Sequence, residues 1–372
     1  MNALMFGTIF SAVFVLLNLY IHKRLIEKLD LSKKIKHFLN IFLLVNFFGI
    51  VAYISARYYI NIPSWLYYLL SLPIGVLFLL FCTAVVYDVS RLVLSIAPIS
   101  SSRRNFFKRS LDISSLFVAV SLSARAMYEA RFVEVEKVSV KIKGLARPYK
   151  IAQISDLHIG GLIGREFIKE VVQKVNALTP DLIVITGDLV DVKALYAKDT
   201  TDEFKELRSK YGTYYIVGNH EYFHGIKEII KAVKALGIRV LENENVYIGE
   251  EGRGFNLAGV YDVFGYRTKT YMPDLQKALQ GIKDSPTVLL AHQPRFIEEV
   301  KEKVDLMLSG HTHGGQIYPF KFLISLVQPY ISGLHRHRKD LQIYVNKGTG
   351  FWGPPMRLGA NSEITDMTLE PS

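Results

Sequence analysis

Residues 150–158 (KIAQISDLH) and 182–191 (LIVITGDLVD) are short apolar runs, each ending in a cluster of metal-seeking side chains. Three more runs end the same way. Residues 214–217 lead to Gly218, Asn219, His220 and Glu221; 287–291 lead to His292; 304–309 lead to Gly310, His311, Thr312, His313, Gly314 and Gly315. Short runs of aliphatic or β-branched residues bounded by Gly or Pro predict buried strands. Segments 165–178, 225–236 and 294–303 predict helices. Across 167–178, apolar residues at 167, 168, 171, 172, 175 and 178 keep the i, i+3, i+4 period. Strand–loop–helix alternation predicts an α/β fold with right-handed crossovers and mainly parallel pairing. Residues at the carboxyl ends of such strands meet at one edge of the sheet. The five clusters therefore converge, although the chain separates the outermost by more than 150 residues.

The clusters offer histidines, aspartates and an asparagine, and no sulfur: the only cysteine is Cys82. Thiol catalysis in the downstream domain is excluded, as is a disulfide within the chain. Nitrogen and oxygen donors suit Mn, Fe, Zn or Co rather than Ca or Mg alone. In Asp156-x-His158 the two ligands are expected on one side of an extended segment, and His311-x-His313 repeats the spacing. Taken singly, each block has an ordinary reading. GDxxD is often a capped turn, GNHE a helix start, and a lone strand-end histidine an interior one. In series, and all strand-terminal, they point to two metals. Such sites hold their ions roughly 3.5–4 Å apart and clamp the attacking and leaving oxygens of a phosphoryl transfer.

On these residues the chain resembles the calcineurin-like metallophosphoesterase superfamily: D-x-H at 156–158, G-D-x-x-D at 187–191, G-N-H-E at 218–221, His292, and G-H-x-H at 310–313. The tail (Tyr344 to Gly350, then Pro355, Arg357, Glu363 and Ile364) is similar to a membrane-anchored or exported bacterial branch. That branch includes enzymes similar to UDP-2,3-diacylglucosamine pyrophosphatases. The resemblance implies a four-layer α/β/β/α metallophosphoesterase sandwich and two divalent metal ions (Mn, Zn or Fe). It implies that Asp156, His158 and His313 hold one ion, Asn219, His292 and His311 the other, and that Asp188 bridges. The reaction it implies is hydrolysis of a phosphate ester or pyrophosphate bond, with water between the cations attacking as hydroxide. His220 resembles the non-ligand histidine that protonates the leaving oxygen or stabilises the transition state. Asp191 would hold its imidazole, and Glu221 is the competing partner.

Residues 1–130 read as a membrane region with three to four transmembrane helices, and 131–372 as the phosphoesterase domain. Residues 3–20, 38–56 and 65–87 are apolar runs without a charge, each of membrane-spanning length. The first 130 residues hold 13 Lys+Arg against 5 Asp+Glu, and the remainder 32 against 29. The basic excess thus flanks apolar runs instead of forming a patch on the folded domain, so no nucleic-acid partner is expected. Six cations lie between the first and second runs, only Arg57 between the second and third, and five at 91–109. Positive-inside bias then predicts an amino terminus outside and a multi-pass protein of the inner or cell membrane. Arg103, Arg104, Phe106, Phe107 and Lys108, a mildly apolar 111–122, and Ala124 to Ala126 resemble a twin-arginine export signal. The other reading is a basic flank before a short fourth span. Both put the catalytic domain on the outer, periplasmic or extracytoplasmic face.

Residues 317–335 (IYPFKFLISLVQPYISGLH) directly follow the last motif histidines and are strongly apolar, with two prolines and a glycine. They are either a loop buried against the second sheet or an apolar lip that dips toward membrane lipid and accepts a lipid-linked phosphate ester; a nucleotide-sugar is the other substrate candidate. Phe351, Trp352 and Met356 would extend that surface. His335, Arg336, His337 and Arg338 read as a phosphate-reading cluster or an exposed turn. A membrane-tethered sensor or scaffold with an inactive phosphoesterase domain is the alternative function, and His220 argues against it. Transport is disfavoured because the three runs carry no ionised side chain.

Overall fold

A computed structural model describes residues 3–59 and 62–372. Two units divide the chain: Met1–Glu129 with Gly353–Leu358, and Ala130–Trp352 with Gly359–Ser372.

In the first unit, long runs of apolar side chains form four helices: α1 (Ala3–Ile21), α2 (Lys33–Tyr59), α3 (Ser64–Ile96) and α4 (Ser101–Glu129). All four are long and apolar enough to cross a membrane. Leu16, Phe38, Val45, Val86 and Phe117 point outward and stay exposed, a surface suited to a lipid solvent. Gly49 lets α2 approach α3, since a Cβ there would lie 3.1 Å from Pro73 Cγ. The mildly apolar stretch after Arg103 and Arg104 belongs to one unbroken α4. Helix α3 runs past Tyr87, so Asp88 and Arg91 are helical. Asp88 pairs with Arg24 and with Lys28, the latter at 2.8 Å. Asp112 is buried in α4 and accepts from the Tyr87 hydroxyl at 2.7 Å and the Asp30 amide at 3.1 Å. Ionised groups inside helices of this kind persist only when paired. The side chain of Arg57, on which the outer-loop count rests, lies outside the described residues.

The second unit is built on twelve strands: β1 (Val133–Ile142), β2 (Tyr149–Ile154), β3 (Leu182–Ile185), β4 (Thr213–Tyr215), β5 (Arg239–Val240), β6 (Glu244–Ile248), β7 (Phe255–Gly259), β8 (Thr287–Leu290), β9 (Leu306–Ser309), β10 (Gly333–Arg338), β11 (Leu341–Val345) and β12 (Ser362–Pro371). They form two six-stranded sheets, ordered β1-β12-β2-β3-β4-β5 and β10-β11-β9-β8-β7-β6. Pairing is parallel except β12–β2, β10–β11 and β6–β7. Alternation along each strand sorts its side chains between two faces. Leu182 and Val184 join Leu257, Val288 and Leu308 in a core between the sheets. Ile183 and Ile185 pack outward with Ile168 and Val171 of α5 (Arg165–Ala177). After α6 (Ala194–Thr201) and α7 (Asn219–His224), α8 (Ile226–Ala235) adds Ile229 and Val233 to that outer layer. On the far side, Leu289, Met307 and Ile343 pack with Phe296 and Ile297. The result is the expected α/β/β/α sandwich.

Three local expectations are corrected. Residues 294–303 form only a short 3₁₀ turn, Pro294–Glu299, which opens on proline and becomes extended at Val300. Residues 335–338 are no turn: they form β10, the edge strand paired with β11, where Arg338 donates to the carbonyls of Val300 and Glu302 at 2.6 and 2.8 Å. Residues 317–335 are not a buried loop as a whole: Ile317 and Gln328 are buried, but 318–327 is not. A single turn, Lys321–Ile324, carries it across the surface, with Phe322 at 56% exposure, Val327 at 69% and Leu326 at 78%. Pro319 and the kinked 313–316 turn deny it a regular helix with one face to bury.

Candidate metal centre

Clusters from both sheets meet at one place. Beyond β2 and β3 the chain stays zipped: Asp156 N, His158 N and Ile159 N donate to the carbonyls of Gly187, Asp188 and Leu189, each at 3.0 Å. This stretch is not the extended segment expected from D-x-H spacing. Asp156 (φ 53°), His158 (φ 51°), Asp188 (φ 51°), His311 (φ 70°) and His313 (φ 51°) all adopt left-handed backbone. Non-glycine residues there carry strain that concentrates at functional sites. The two ligands of each pair still face one centre, but through a tight turn rather than strand alternation.

Glycines make the approach possible. A Cβ on Gly187 would lie 2.6 Å from His292 Nδ1, and one on Gly218 would lie 2.2 Å from Asp188 Oδ1. No side chain fits at either position without displacing the cluster.

Each carboxylate is tied to another block. Asp156 accepts from the amide of His311 at 2.9 Å and from the Ser155 hydroxyl at 2.5 Å. Asp188 Oδ1 accepts from His220 N at 2.8 Å, and Oδ2 lies 3.2 Å from His292 Nε2. Asp191 Oδ1 sits 2.9 Å from His158 Nδ1 and 2.5 Å from His220 Nδ1. One carboxylate thus orients two imidazoles. Glu221, the rival partner for His220, does something else. Its two buried oxygens accept from Gly218 N at 2.6 Å, Leu189 N at 2.8 Å, Asp188 N at 3.2 Å and Val190 N at 3.4 Å.

Tautomers follow from these partners. His292 Nδ1 donates to the Thr186 carbonyl at 2.7 Å, and Asp191 keeps the proton on His158 Nδ1. Both Nε2 atoms then face the centre. His158 Nε2 and His313 Nε2 lie 2.9 Å apart, and His313 Nε2 lies 3.4 Å from Asp156 Oδ1. Three donor groups result, each with its ligand atoms within 4.8 Å of one another: Asp156, His158 and His313; Asp188, His292 and His311; His158, Asp191 and His220. His292 Nε2 and Asn219 Oδ1 are buried without a hydrogen-bond partner, as atoms waiting for a cation would be. The donor set therefore fits two divalent cations.

Electrostatics agree. Burial pushes the charged form of His292 down, but Asp188, with Asp156 and Asp262, outweighs it and raises that histidine well above its ordinary value. Burial also works against Asp188, yet His292, His220 and His158 hold it well below the ordinary carboxylate range. Burial drives Asp156 up and lowers His311 to about 3, with His292 adding to the latter. Buried carboxylates that hold His292 in its charged form mark a place where positive charge is stabilised, as a cation would be.

Two features were not read from the sequence. Residues 220–224 (HEYFH) spell H-E-x-x-H, the zinc-peptidase pattern. Geometry removes that reading: among the described residues His224 joins none of the donor groups, and Glu221, the would-be base, is spent on backbone amides. Asp262 is buried just beyond β7, accepting from Phe264 N at 2.7 Å and Gln293 Nε2 at 2.9 Å, and burial lifts it to about 6. The signal was present, since Asp262 also follows a strand.

Residues 149–315 match the family model described as calcineurin-like phosphoesterase. The chain is 37% identical over 369 residues to an uncharacterized metallophosphoesterase of Helicobacter pylori, covering 97% of each protein. It is 33% identical over 373 residues to an uncharacterized metallophosphoesterase of Campylobacter jejuni, covering 99% of this chain and 98% of that one. A Bos taurus transmembrane protein with metallophosphoesterase domain is 38% identical over 234 residues, covering 59% of this chain and 53% of that protein. Its sheets, its strand-terminal ligand blocks and these relatives together make the chain a member of the calcineurin-like phosphoesterase family, one with four helices long and apolar enough to cross a membrane.

Proposed function

We propose that this protein hydrolyses a phosphate ester or pyrophosphate bond at a membrane surface, using two divalent ions of the Mn, Zn or Fe kind. The observation that carries the reading is the convergence of donors from five blocks, with Asn219 Oδ1 and His292 Nε2 left without a hydrogen bond in the interior. Asp156, His158 and His313 would hold one ion, Asn219, His292 and His311 the other, and Asp188 would serve both. When bound, such ions lower the pKa of water and draw charge from the phosphoryl oxygens. The chain's own part is proton handling. The His220 amide is held by Asp188, and Asp191 at 2.5 Å holds the Nδ1 proton, so Nε2 faces inward; in the imidazolium form the second proton, on Nε2, would pass to the leaving oxygen. An intact His220–Asp191 pair favours an enzyme over an inactive scaffold.

The exposed apolar surface at 318–327 supports a lipid-linked substrate over a freely soluble one, and it also suits a lipid-bearing nucleotide-sugar. From Leu306 through Lys339 the sequence has no Asp or Glu, which suits an anionic headgroup region. The count of six, one and five flanking cations supports an outer-face catalytic unit, whether Arg103 and Arg104 act as an export signal or as a basic flank.

The test uses the full chain with measured metal content. His220→Ala should retain both ions and lose about 10²–10⁴-fold in turnover of a phosphodiester. Asp188→Asn should release at least one ion. Equal metal loss in both variants, or full metal in the second, would overturn the roles assigned.

A further inference from the structure

The family fold accounts for the donors but not for what stands beside His220. Its ring is met edge-on by two large aromatic side chains, Phe223 with centroids 5.6 Å apart at 77°, and Trp352 with centroids 5.9 Å apart at 80°. His220 itself is buried, yet Phe223 is 56% exposed and Trp352 37%. Large aromatics left open to solvent beside a buried reactive imidazole present surface for something that arrives later.

Both are held in place. Trp352 N donates to Gln316 Oε1 at 3.0 Å, and Gln316 Nε2 donates back to the Trp352 carbonyl at 2.8 Å. Gln316 belongs to the turn that carries His313, so this wall is fixed to a metal-ligand loop. Phe223 meets Phe264 edge-on at 4.9 Å, and Phe264 in turn meets Tyr222 at 5.5 Å. The Tyr222 hydroxyl donates to the Tyr271 carbonyl at 2.6 Å. Prearranged aromatic surfaces bind a flat group without the entropy cost of ordering it.

We infer that Phe223 and Trp352 are the walls of a leaving-group subsite for a flat aromatic moiety, an aryl group or a nucleoside base. This rests on reading His220 as the group that serves the leaving oxygen, because that role puts the departing arm of the ester next to its ring. Neither wall carries a charge, so the arm is read by its face and not by an ion pair. A lipid chain, where the substrate has one, belongs to the arm that keeps the phosphorus.

The full chain, loaded with manganese in detergent, is titrated calorimetrically with phenylphosphonate, the phosphonate analogue of adenosine 5′-monophosphate, and methylphosphonate. These share the phosphorus head and need no turnover, so a failure of the hydrolase reading shows separately, in an ester assay. At least one flat ligand should bind about tenfold tighter than methylphosphonate, the scale of a single aromatic stack. Preference for phenyl identifies an aryl arm, and preference for the nucleotide analogue a nucleoside. Trp352→Ala and Phe223→Ala should each lose most of that preference while methylphosphonate affinity and metal content stay at parental levels, and Trp352→Phe should restore it. No preference in the parent, binding of none of the three ligands, or an equal weakening of all three in the variants, overturns the inference.

Discussion

Glu221→Gln is the sharpest test of how this centre is built. The Glu221 oxygens accept four backbone amides, those of Leu189 and Val190 at one oxygen and those of Gly218 and Asp188 at the other. Burial and the nearby Asp188 raise its pKa, pulling toward a neutral acid. The four donors pull the other way, because a proton on either oxygen would face an N–H. We hold that the donors win. Glutamine then keeps one pair and turns its own NH₂ against the other. Two buried amides are orphaned, at about 1–3 kcal/mol each, or about 2–6 kcal/mol together. Relief of the Asp188 repulsion offsets part of this, so the lower half of that range is expected. Against a total stability on the order of 5–15 kcal/mol this is a large loss. Either pair lies against the site: Gly218 precedes Asn219, Asp188 is itself a ligand position, and Leu189 and Val190 follow it. Near-UV circular dichroism should show a melting point lower by several degrees, and metal analysis a weaker second ion. If Glu221 were a neutral acid, glutamine would be nearly isosteric; parental melting and full metal in the variant would refute the clamp.

Other expectations follow from single contacts. A Cβ on Gly350 would lie 2.4 Å from the Leu157 carbonyl oxygen and 2.8 Å from that of Asp156. Gly350→Ala should therefore cost about 1–3 kcal/mol of overpacking and weaken metal at Asp156, whereas Gly164→Ala, with nothing nearby, should not; a metal titration of both decides. Glu242 is opposed by burial but lowered by Lys234 and the Tyr261 hydroxyl. A depressed carboxyl contributes stability that is complete above its ordinary 4.5 and is lost as pH falls through the depressed value. Glu242→Gln should flatten that part of the acid limb in a pH series of unfolding midpoints, and an unchanged limb would count against the pairing. A compartment reporter fused after Ser372 should report the outer face, and a cytoplasmic signal would reverse the proposed topology.

What could be read in the sequence was whatever is local to a strand end. Runs such as 182–185 announce burial by composition, and Asp188 or His292 announces chemistry by its position just past the strand end. The apolar helices were legible for the same reason, since length and hydropathy are carried in one continuous stretch. Contacts between distant segments were not. Nothing near Glu221 says that it will gather amides from Leu189 and Val190, thirty residues away. The edge strand Gly333–Arg338 is written in charged and aromatic residues, and becomes a strand only because β11 offers it a partner. Segment 318–327 has apolar composition, but composition does not say whether protein or another solvent will cover it. The D-x-H spacing suggested alternation along a strand, and backbone torsion at Asp156 and His158 supplied the same facing by another route.

Those left-handed torsions have an evolutionary reach. Asp156, His158, Asp188, His311 and His313 each sit in a region that disfavours their own side chains, at about 1–3 kcal/mol apiece. Seven matching residues grafted onto an unrelated sheet would relax into ordinary strand ends and point apart. The bends are thus as much a part of the site as the ligands, since without them the same side chains would not face one another.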